Sequence, residues 1–196
     1  MTRVIAGSAR GRRLAVPPGR LTRPTSDRAR EGLFSTLTAI RGPVDGARVL
    51  DLYAGSGAVG LEALSRGAAR VLFVEAEARA AQVIRGNLAA VGLPGGELVI
   101  GRVERVLGRG PGGGPGYDLV VADPPYALSD DDVTAVLTAL RDGSWLAAGA
   151  VVAVERATRS APVRWPPGYE PDRSRRYGEA TFWYGLAAGN HAAEAL

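Results

Sequence analysis

The residues Asp123-Pro124-Pro125-Tyr126 directly follow an apolar run and could carry out chemistry on an amine. An exocyclic amine on a nucleobase is a poor nucleophile because its lone pair is delocalised into the ring. Two acceptors placed against its N–H bonds would push electron density onto nitrogen, and we expect the Asp123 carboxylate and the Pro124 carbonyl to be those acceptors. The prolines fix the turn and aim the carbonyl in advance. Tyr126 can stack on the base, at about 1–3 kcal/mol per stacked base.

A second group of functional residues lies in the stretch "DLYAGSGAVG" and after the strand that follows it. Gly55, Gly57 and Gly60 match G-x-G-x-x-G, whose usual interpretation is NAD binding. Asp51 precedes them, where it would repel a pyrophosphate but could accept from an ammonium group. Glu75 ends the next strand and could hold ribose hydroxyls of either cofactor. We therefore expect S-adenosylmethionine, with the glycines letting the backbone approach it closely, and keep NAD or a turn without a ligand as alternatives.

Alternating strands and helices must position these groups. The apolar and glycine patterns predict strands at 48–54, 70–76, 97–101, 117–123, 149–155 and 180–187, and helices at 56–67, 77–92, 102–109 and 129–143. Such alternation indicates an open, mostly parallel sheet covered by helices, with ligands at the carboxyl ends of the strands. We therefore expect the turns at 51–57 and 123–126 to share one cavity, with Arg102 and Val103 flanking an adenine.

The N-terminal part of the chain is strongly basic. Residues 3–17 contain two short apolar runs around Gly-Ser-Ala-Arg-Gly, which predicts a hairpin, and a helix capped by Thr25 or Ser26 should follow. Residues 1–30 contain eight arginines and one acid, which indicates a polyanionic partner, with a solubilising terminus as the alternative. The stretch "RSRRYG" at 173–178 is either a second basic rim or a solvated loop.

Several classes of chemistry are excluded by composition. The chain has no cysteine, so it has no disulfide, no thiolate nucleophile and no cysteine-ligated metal. His191 is its one histidine, which makes a Ser-His-Asp triad or a histidine-rich metal site improbable, and we predict no metal. No window reaches the ~18 uninterrupted apolar residues of a membrane helix, and the start lacks the apolar segment of a signal peptide. We therefore expect a cytoplasmic protein with no membrane partner.

Longer motifs suggest a family. The stretch "DLYAGSGAVGLEALSRGA" followed by "DPPY" resembles the S-adenosylmethionine-dependent amino-methyltransferases. The stretches "RVIAGSARGRRLAVP" and "RPTSDRARE" narrow the resemblance to the bacterial RsmD family, the 16S rRNA guanine-N2 methyltransferases. The likeness covers residues 3–187, whereas "DPPY" alone would also fit adenine-N6 or cytosine-N4 enzymes.

The resemblance implies a fold and a reaction. The fold would be the Rossmann-like methyltransferase fold, a mostly parallel seven-stranded sheet with helices on both faces, plus a small N-terminal β-hairpin extension. The parts would be a basic hairpin at 1–22, a methyltransferase domain at 23–188 and a flexible tail at 189–196. The reaction would be methyl transfer to the N2 amine of guanine 966 in 16S rRNA, in the 30S subunit or an assembly intermediate, leaving S-adenosylhomocysteine.

The resemblance also implies roles for individual residues. The catalytic residues would be Asp123, Pro124, Pro125 and Tyr126. The cofactor would be bound by Asp51, Tyr53, Ala54, Gly55, Ser56, Gly57, Glu75, Ala76, Arg102, Val103 and Asp123. RNA would be bound by Arg3, Arg10, Arg12, Arg13, Arg23, Thr25, Arg28 and Arg30. At position 102 relatives often carry an acid or asparagine, so here the adenine contact would fall to the backbone.

Other functions stay open at this point. A methyltransferase acting on adenine N6 or another base amine, an NAD-dependent oxidoreductase and a catalytically silent RNA-binding module are the alternatives. A DNA adenine methyltransferase is a further one, although the chain has no evident target-recognition domain. We expect a monomer, because a large RNA target leaves little need for a second subunit.

Overall fold

The structure, a computed structural model, describes residues 2–17 and 26–188. Arg23, Thr25, His191 and the predicted tail at 189–196 lie outside the described residues. The division into extension, domain and tail therefore stays a prediction. None of the helices within the described residues is long and apolar enough to cross a membrane.

The described residues form nine strands and five helices. The strands are β1 (Thr2–Arg3), β2 (Arg13–Leu14), β3 (Arg48–Leu52), β4 (Arg70–Glu75), β5 (Gly96–Ile100), β6 (Tyr117–Ala122), β7 (Leu146–Ala157), β8 (Tyr169–Tyr177) and β9 (Ala180–Ala187). The helices are α1 (Asp27–Arg41), α2 (Ala58–Ser65), α3 (Ala78–Val91), α4 (Val103–Leu107) and α5 (Asp130–Asp142).

Seven of these strands form one sheet in the order β5-β4-β3-β6-β7-β9-β8. The first five in this order are parallel neighbours, and β9 pairs antiparallel with both β7 and β8. β1 and β2 form the separate antiparallel hairpin that the sequence predicts. The predicted seven-stranded, mostly parallel α/β fold with an N-terminal hairpin is confirmed.

Helices cover both faces of the sheet because side chains alternate along the strands. On one face Val49, Val71 and Phe73 pack with apolar residues of α1, α2 and α3. On the other face Leu50 and Leu72 pack with α4 and α5. The N-terminal hairpin joins the first of these cores through Val4, Ala9 and Leu14, which are buried there.

Local sequence signals start the helices where they are observed. The Ser26 hydroxyl accepts from the backbone N–H of Ala29 at 3.2 Å, so Ser26 caps α1, as one of the two predicted caps. Ser129 caps α5 through the N–H of Asp132 at 3.1 Å, and three acids occupy the first turn, where the helix dipole favours negative charge.

The strand order creates a crevice between β3 and β6. The chain runs outward from β3 through β4 to β5 and then returns to place β6 on the other side of β3. Helices on either side diverge at such a switch point, which leaves space beyond the carboxyl ends of the two strands. Register pairs Leu52 with Ala122, so the residues that follow, Tyr53 and Asp123, emerge side by side.

One strand is missed by the sequence analysis. The pattern of residues 169–177 indicates only a polar stretch, but they form β8 at the edge of the sheet, paired with β9. An edge strand can be polar and can contain a proline such as Pro171 because one side of its backbone needs no partner strand. The alternative that 173–178 is a solvated loop is therefore wrong for 173–177.

Candidate active site

A cleft of about 1250 Å³ opens at the carboxyl ends of β3, β4, β6 and β7. The starts of α1 and α4 and the turn between β8 and β9 form its other walls. The predicted site residues that line it are Tyr53, Glu75, Ala76, Arg102, Val103, Asp123, Pro124, Pro125, Tyr126 and Arg28. Tyr53 of the 51–57 turn and all four residues of the 123–126 turn thus line one cleft.

Glu75 organises the side of the cleft nearest β4, which we call the cofactor half. Its side chain is buried, and its two carboxylate oxygens accept from the N–H groups of Gly55 at 2.7 Å and Glu77 at 2.8 Å. Each carboxylate oxygen has two lone pairs and can accept more than one hydrogen bond. A pair of adjacent acceptors in a buried position fits the vicinal hydroxyls of a ribose.

The other residues of the cofactor half fit a nucleoside as well. Val103 is buried and Arg102 is exposed at the start of α4, and both line the cleft as expected for neighbours of an adenine. Tyr53 has a positive φ of 59°, which few residues other than glycine adopt. Its hydroxyl donates to Glu104 at 3.3 Å, which ties the end of β3 to α4.

The glycines of the turn after β3 serve packing as much as ligand approach. A Cβ at Gly60 would lie 2.2 Å from the Phe73 ring, and one at Gly57 would lie 3.3 Å from Ile84 and from Phe73. Gly57 also has a positive φ of 76° where α2 begins. Both Cβ positions face the protein interior, so packing alone already requires these two glycines, and their contact with a cofactor stays a prediction.

Asp51 also differs from its expected role. Its buried carboxylate accepts from the N–H of Gly60 at 2.9 Å, at the start of α2, and Asp51 does not line the cleft. Burial is the main cause that raises the pKa of Asp51 to about 8; the hydrogen bond from Gly60 acts against it, and the charge of Glu75 adds a smaller increase. Its use as an ammonium acceptor that separates S-adenosylmethionine from NAD therefore lacks support in the structure.

Ala54, Gly55 and Ser56 form the turn itself and do not line the cleft. The N–H of Gly55 is nevertheless bound to Glu75, which does. The side-chain amide of Asn87 donates to the carbonyls of Ser56 at 2.9 Å and Ala15 at 3.0 Å. Asn87 thus fixes the turn and ties it to the segment that follows the N-terminal hairpin.

Asp123, Pro124, Pro125 and Tyr126 form the opposite side, which we call the acceptor half. The N–H of Asp123 donates to the Leu52 carbonyl at 3.3 Å, so strand pairing holds Asp123 at the mouth of the crevice. Pro124 is buried, whereas Tyr126 is 48% exposed, an unusual fraction for a large aromatic ring in this chain. The ring is therefore available to a molecule that enters the cleft.

Glu155 is a cleft residue that the sequence analysis missed. It lies in β7, is only 4% exposed and accepts from the Tyr126 hydroxyl at a long 3.5 Å. Burial, then the charges of Glu155 and Asp123, raise the pKa of Tyr126 to about 12, so the hydroxyl stays a donor at neutral pH. A signal was present, because Glu155 ends the predicted strand 149–155, just as Glu75 ends β4.

Arg156 fixes the loop that follows Tyr126. It is buried, and its guanidinium donates to the Leu128 carbonyl at 2.9 Å and to Asp130 at 3.0 Å. These two hydrogen bonds join β7 to the loop after Tyr126 and to the first residue of α5. They therefore help to fix the position of the acceptor half.

The turn between β8 and β9 closes the acceptor half from the side. Arg176 and Tyr177, the last residues of β8, line the cleft together with Glu179 of the turn. Tyr177 packs so closely on α1 that a Cβ at Gly32 would lie 2.2 Å from its hydroxyl oxygen. The close approach that Gly32 allows sets the position of this turn relative to α1.

The predicted RNA-binding arginines have different surroundings. Arg3, Arg10, Arg12 and Arg13 are exposed in the N-terminal hairpin segment and do not line the cleft, whereas Arg28 is exposed and lines it. Arg23 and Thr25 lie outside the described residues.

The expectation that Arg30 binds RNA does not agree with its burial. Its side chain is fully buried and donates to Asp27 at 3.0 Å, to Thr2 at 3.2 Å and to the Arg3 carbonyl. Its Nε lies 3.9 Å from a carboxylate oxygen of Glu62. Glu62 in turn accepts from two N–H groups of the hairpin segment, at 2.7 and 3.0 Å, so Arg30 anchors the hairpin to the body.

Comparison with known protein families identifies a match over nearly the whole chain. The family model described as conserved hypothetical protein 95 matches residues 2–185. Ribosomal RNA small subunit methyltransferase D of Escherichia coli K12 is 33% identical over 180 residues, 92% of this chain and 87% of that protein. The protein of the same name from Haemophilus influenzae is 34% identical over 154 residues, 78% of this chain and 77% of that protein.

Solved structures give the same result. An Escherichia coli structure described as "Putative methyltransferase yhhF" superposes with a TM-score of 0.81 at 32% identity, over 96% of this chain and 98% of that one. A hypothetical protein of Thermus thermophilus superposes with a TM-score of 0.76 at 31% identity, over 94% and 98%. The fold and most of the sequence are therefore shared with these proteins.

Proposed function

This chain belongs to the RsmD family of ribosomal RNA small subunit methyltransferases, and we propose that it methylates the N2 amine of a guanine in 16S rRNA. It is an enzyme of the methyltransferase class. The observation that carries the proposal is the single cleft in which Glu75 of the cofactor half faces the same space as Asp123 and Tyr126 of the acceptor half. The target position would be guanine 966, as the family resemblance implies.

S-adenosylmethionine would be the methyl donor, because when bound it supplies a methyl group already activated by the neighbouring sulfonium charge. Glu75 would hold the ribose hydroxyls, and Val103 and Arg102 would flank the adenine. Glu75 accepts from the Gly55 N–H and Asn87 donates to the Ser56 carbonyl, so both ends of the turn after β3 are fixed. This half of the cleft would therefore be fully shaped before the RNA arrives.

The acceptor half would bind and orient the base. The Asp123 carboxylate and the Pro124 carbonyl would accept from the N2 amine and direct its lone pair towards the methyl group. As the new N–C bond forms and the C–S bond breaks, N2 loses one proton, which Asp123 can hold until it passes to water. Tyr126 would stack on the base, which must leave its helix or already be unpaired. Proximity then supplies much of the rate enhancement.

The arginines of the hairpin would position the RNA. Phosphate contacts from Arg10, Arg12 and Arg13 would fix the orientation of the enzyme and carry little sequence information. Arg28, at the rim, would contact the strand next to the flipped nucleotide. The substrate would be the 30S subunit or an assembly intermediate, and the enzyme would act as a monomer in the cytoplasm.

The test uses 30S particles from a strain that lacks this protein. The purified protein is incubated with S-adenosylmethionine carrying a labelled methyl group, and the modified base is identified by mass spectrometry of nuclease digests. We expect one N2-methylguanine in 16S rRNA. Label found only in DNA or protein, or on adenine N6, would contradict the proposal.

A further inference from the structure

We propose that Glu155 selects guanine, by accepting the N1–H of the target base while Asp123 accepts from its N2 amine. This inference rests on the proposed function and goes beyond it. Residues Asp123 to Tyr126 would bind an amine, but they do not discriminate guanine from adenine or cytosine. Glu155 lines the same cleft and is outside the motifs that indicate the family.

The first argument is position. Register pairs Ala122 of β6 with Val154 of β7, so Asp123 and Glu155 are the next residues on two adjacent parallel strands. Neighbouring strands lie about 4.8 Å apart. That interval lets the two carboxylates reach different N–H groups of one base edge, with Asp123 nearer the cofactor half and Glu155 farther from it.

The second argument is the surrounding chemistry. Tyr126, which is placed to stack on the base, donates its hydroxyl to Glu155, so the ring and the carboxylate border the same space. Asp123 and Glu179 also act electrostatically on Tyr126, which makes this end of the cleft rich in carboxylates. Such a site repels phosphate and favours a partner that presents N–H groups.

The third argument is the hydrogen-bonding pattern of the bases. The Watson–Crick edge of guanine presents N1–H and the N2 amine side by side, which are donors only. Adenine presents its N6 amine beside N1, and cytosine its N4 amine beside N3, and both of these ring nitrogens are acceptors. A carboxylate at the second position accepts from guanine but meets the lone pair of adenine or cytosine. Because Glu155 is buried, the mismatch cannot be relieved by water at low cost.

The experiment compares guanine with 2-aminopurine at the mapped target position of reconstituted 30S particles. 2-Aminopurine keeps the N2 amine, but its N1 carries no hydrogen and is an acceptor. For the wild-type enzyme we expect kcat/KM on 2-aminopurine to be about 10- to 100-fold lower than on guanine. In Glu155→Gln the ratio should fall towards one, because the amide can accept from guanine and donate to 2-aminopurine. The ratio within one preparation does not depend on how much of the variant is folded.

Glu179→Gln is the matched control, since it makes the same change at an exposed carboxylate of the same cleft and should keep the wild-type ratio. Equal rates of the wild type on both bases, an unchanged ratio in Glu155→Gln, or the same fall in Glu179→Gln would overturn the inference. So would a Glu155→Gln enzyme that binds cofactor and unfolds like the wild type yet methylates neither base. A wild type that methylates no guanine would instead refute the proposed function, and this inference with it.

Discussion

The two halves of the cleft are built differently. In the cofactor half, Glu75 is buried and its oxygens are bound to the N–H groups of Gly55 and Glu77. In the acceptor half, Tyr126 is half-exposed, and its hydroxyl reaches Glu155 only at 3.5 Å.

This difference follows the size of the molecules that each half would receive. A small nucleoside can enter a site whose groups are already fixed by main-chain hydrogen bonds, which avoids an ordering cost on binding. A base that belongs to a large RNA needs an open approach, so exposed aromatic and charged groups suit the other half. Substitutions should therefore affect binding of the cofactor in one half and use of the RNA in the other.

The largest effect is expected for Asp123→Ala. Removal of the acceptor that orients the amine should lower kcat about a thousandfold, while binding of S-adenosylhomocysteine, measured by calorimetry, should stay within about threefold. Asp123→Asn keeps an acceptor oxygen and should lose less activity. A kcat close to the wild-type value in Asp123→Ala would contradict the assignment of the acceptor half.

Glu75→Ala should have the next largest effect, and this effect should be on cofactor binding and not on orientation of the amine. Loss of the ribose acceptors should weaken binding of S-adenosylhomocysteine about a hundredfold, because hydrogen bonds to a charged group are lost. The matched control is Glu77→Ala, at an exposed carboxylate of the same wall, for which we expect little change. If calorimetry gave equal affinities for both variants, Glu75 would have no special role in the cofactor half.

Tyr126→Ala should reduce kcat/KM on 30S particles by about 10- to 100-fold, the value of one stacking contact on a base. Tyr126→Phe keeps the ring and loses only a long hydrogen bond, so we expect a change of about threefold or less. Steady-state methylation assays distinguish the two. A phenylalanine variant as weak as the alanine variant would show that the hydroxyl matters more than the ring.

The smallest effect on activity is expected for Asp51→Asn, which should instead change how stability depends on pH. Because the pKa of Asp51 is raised to about 8 from an ordinary 3.8, the folded state holds the proton more tightly than the unfolded state. Its stabilising contribution is complete below the ordinary pKa and is lost as the pH rises through 8.

Urea unfolding of wild type and Asp51→Asn between pH 5 and 8 measures this contribution. The wild type should lose up to about 1.4 kcal/mol per pH unit relative to the variant. Asp142→Asn is the control: Asp142 is exposed, and Arg141 lowers the pKa of its carboxyl, so no titration is expected in this range. Parallel pH profiles for wild type and Asp51→Asn would contradict the raised pKa.

Much of the fold was predictable because its signals are local. The strand at 180–187 was predicted with the bounds that the structure gives, and the parallel strands were predicted to within a few residues. Apolar periodicity, glycine stops and the Ser26 cap act over a few neighbouring residues. The strand β8 lacked such a signal, because it becomes a strand by pairing with β9.

The sequence by itself determined the order of strands and helices and which residue types follow each strand. From these it predicted a cofactor site and an amine-binding turn at the carboxyl ends of neighbouring strands. Only the tertiary structure decided what each charged group faces. It buried Arg30 beside Glu62, turned Asp51 towards Gly60 and brought Glu155 to the cleft beside Tyr126. Burial and charge pairing depend on partners brought from 9 to 32 residues away along the chain, and periodicity carries no information about such contacts.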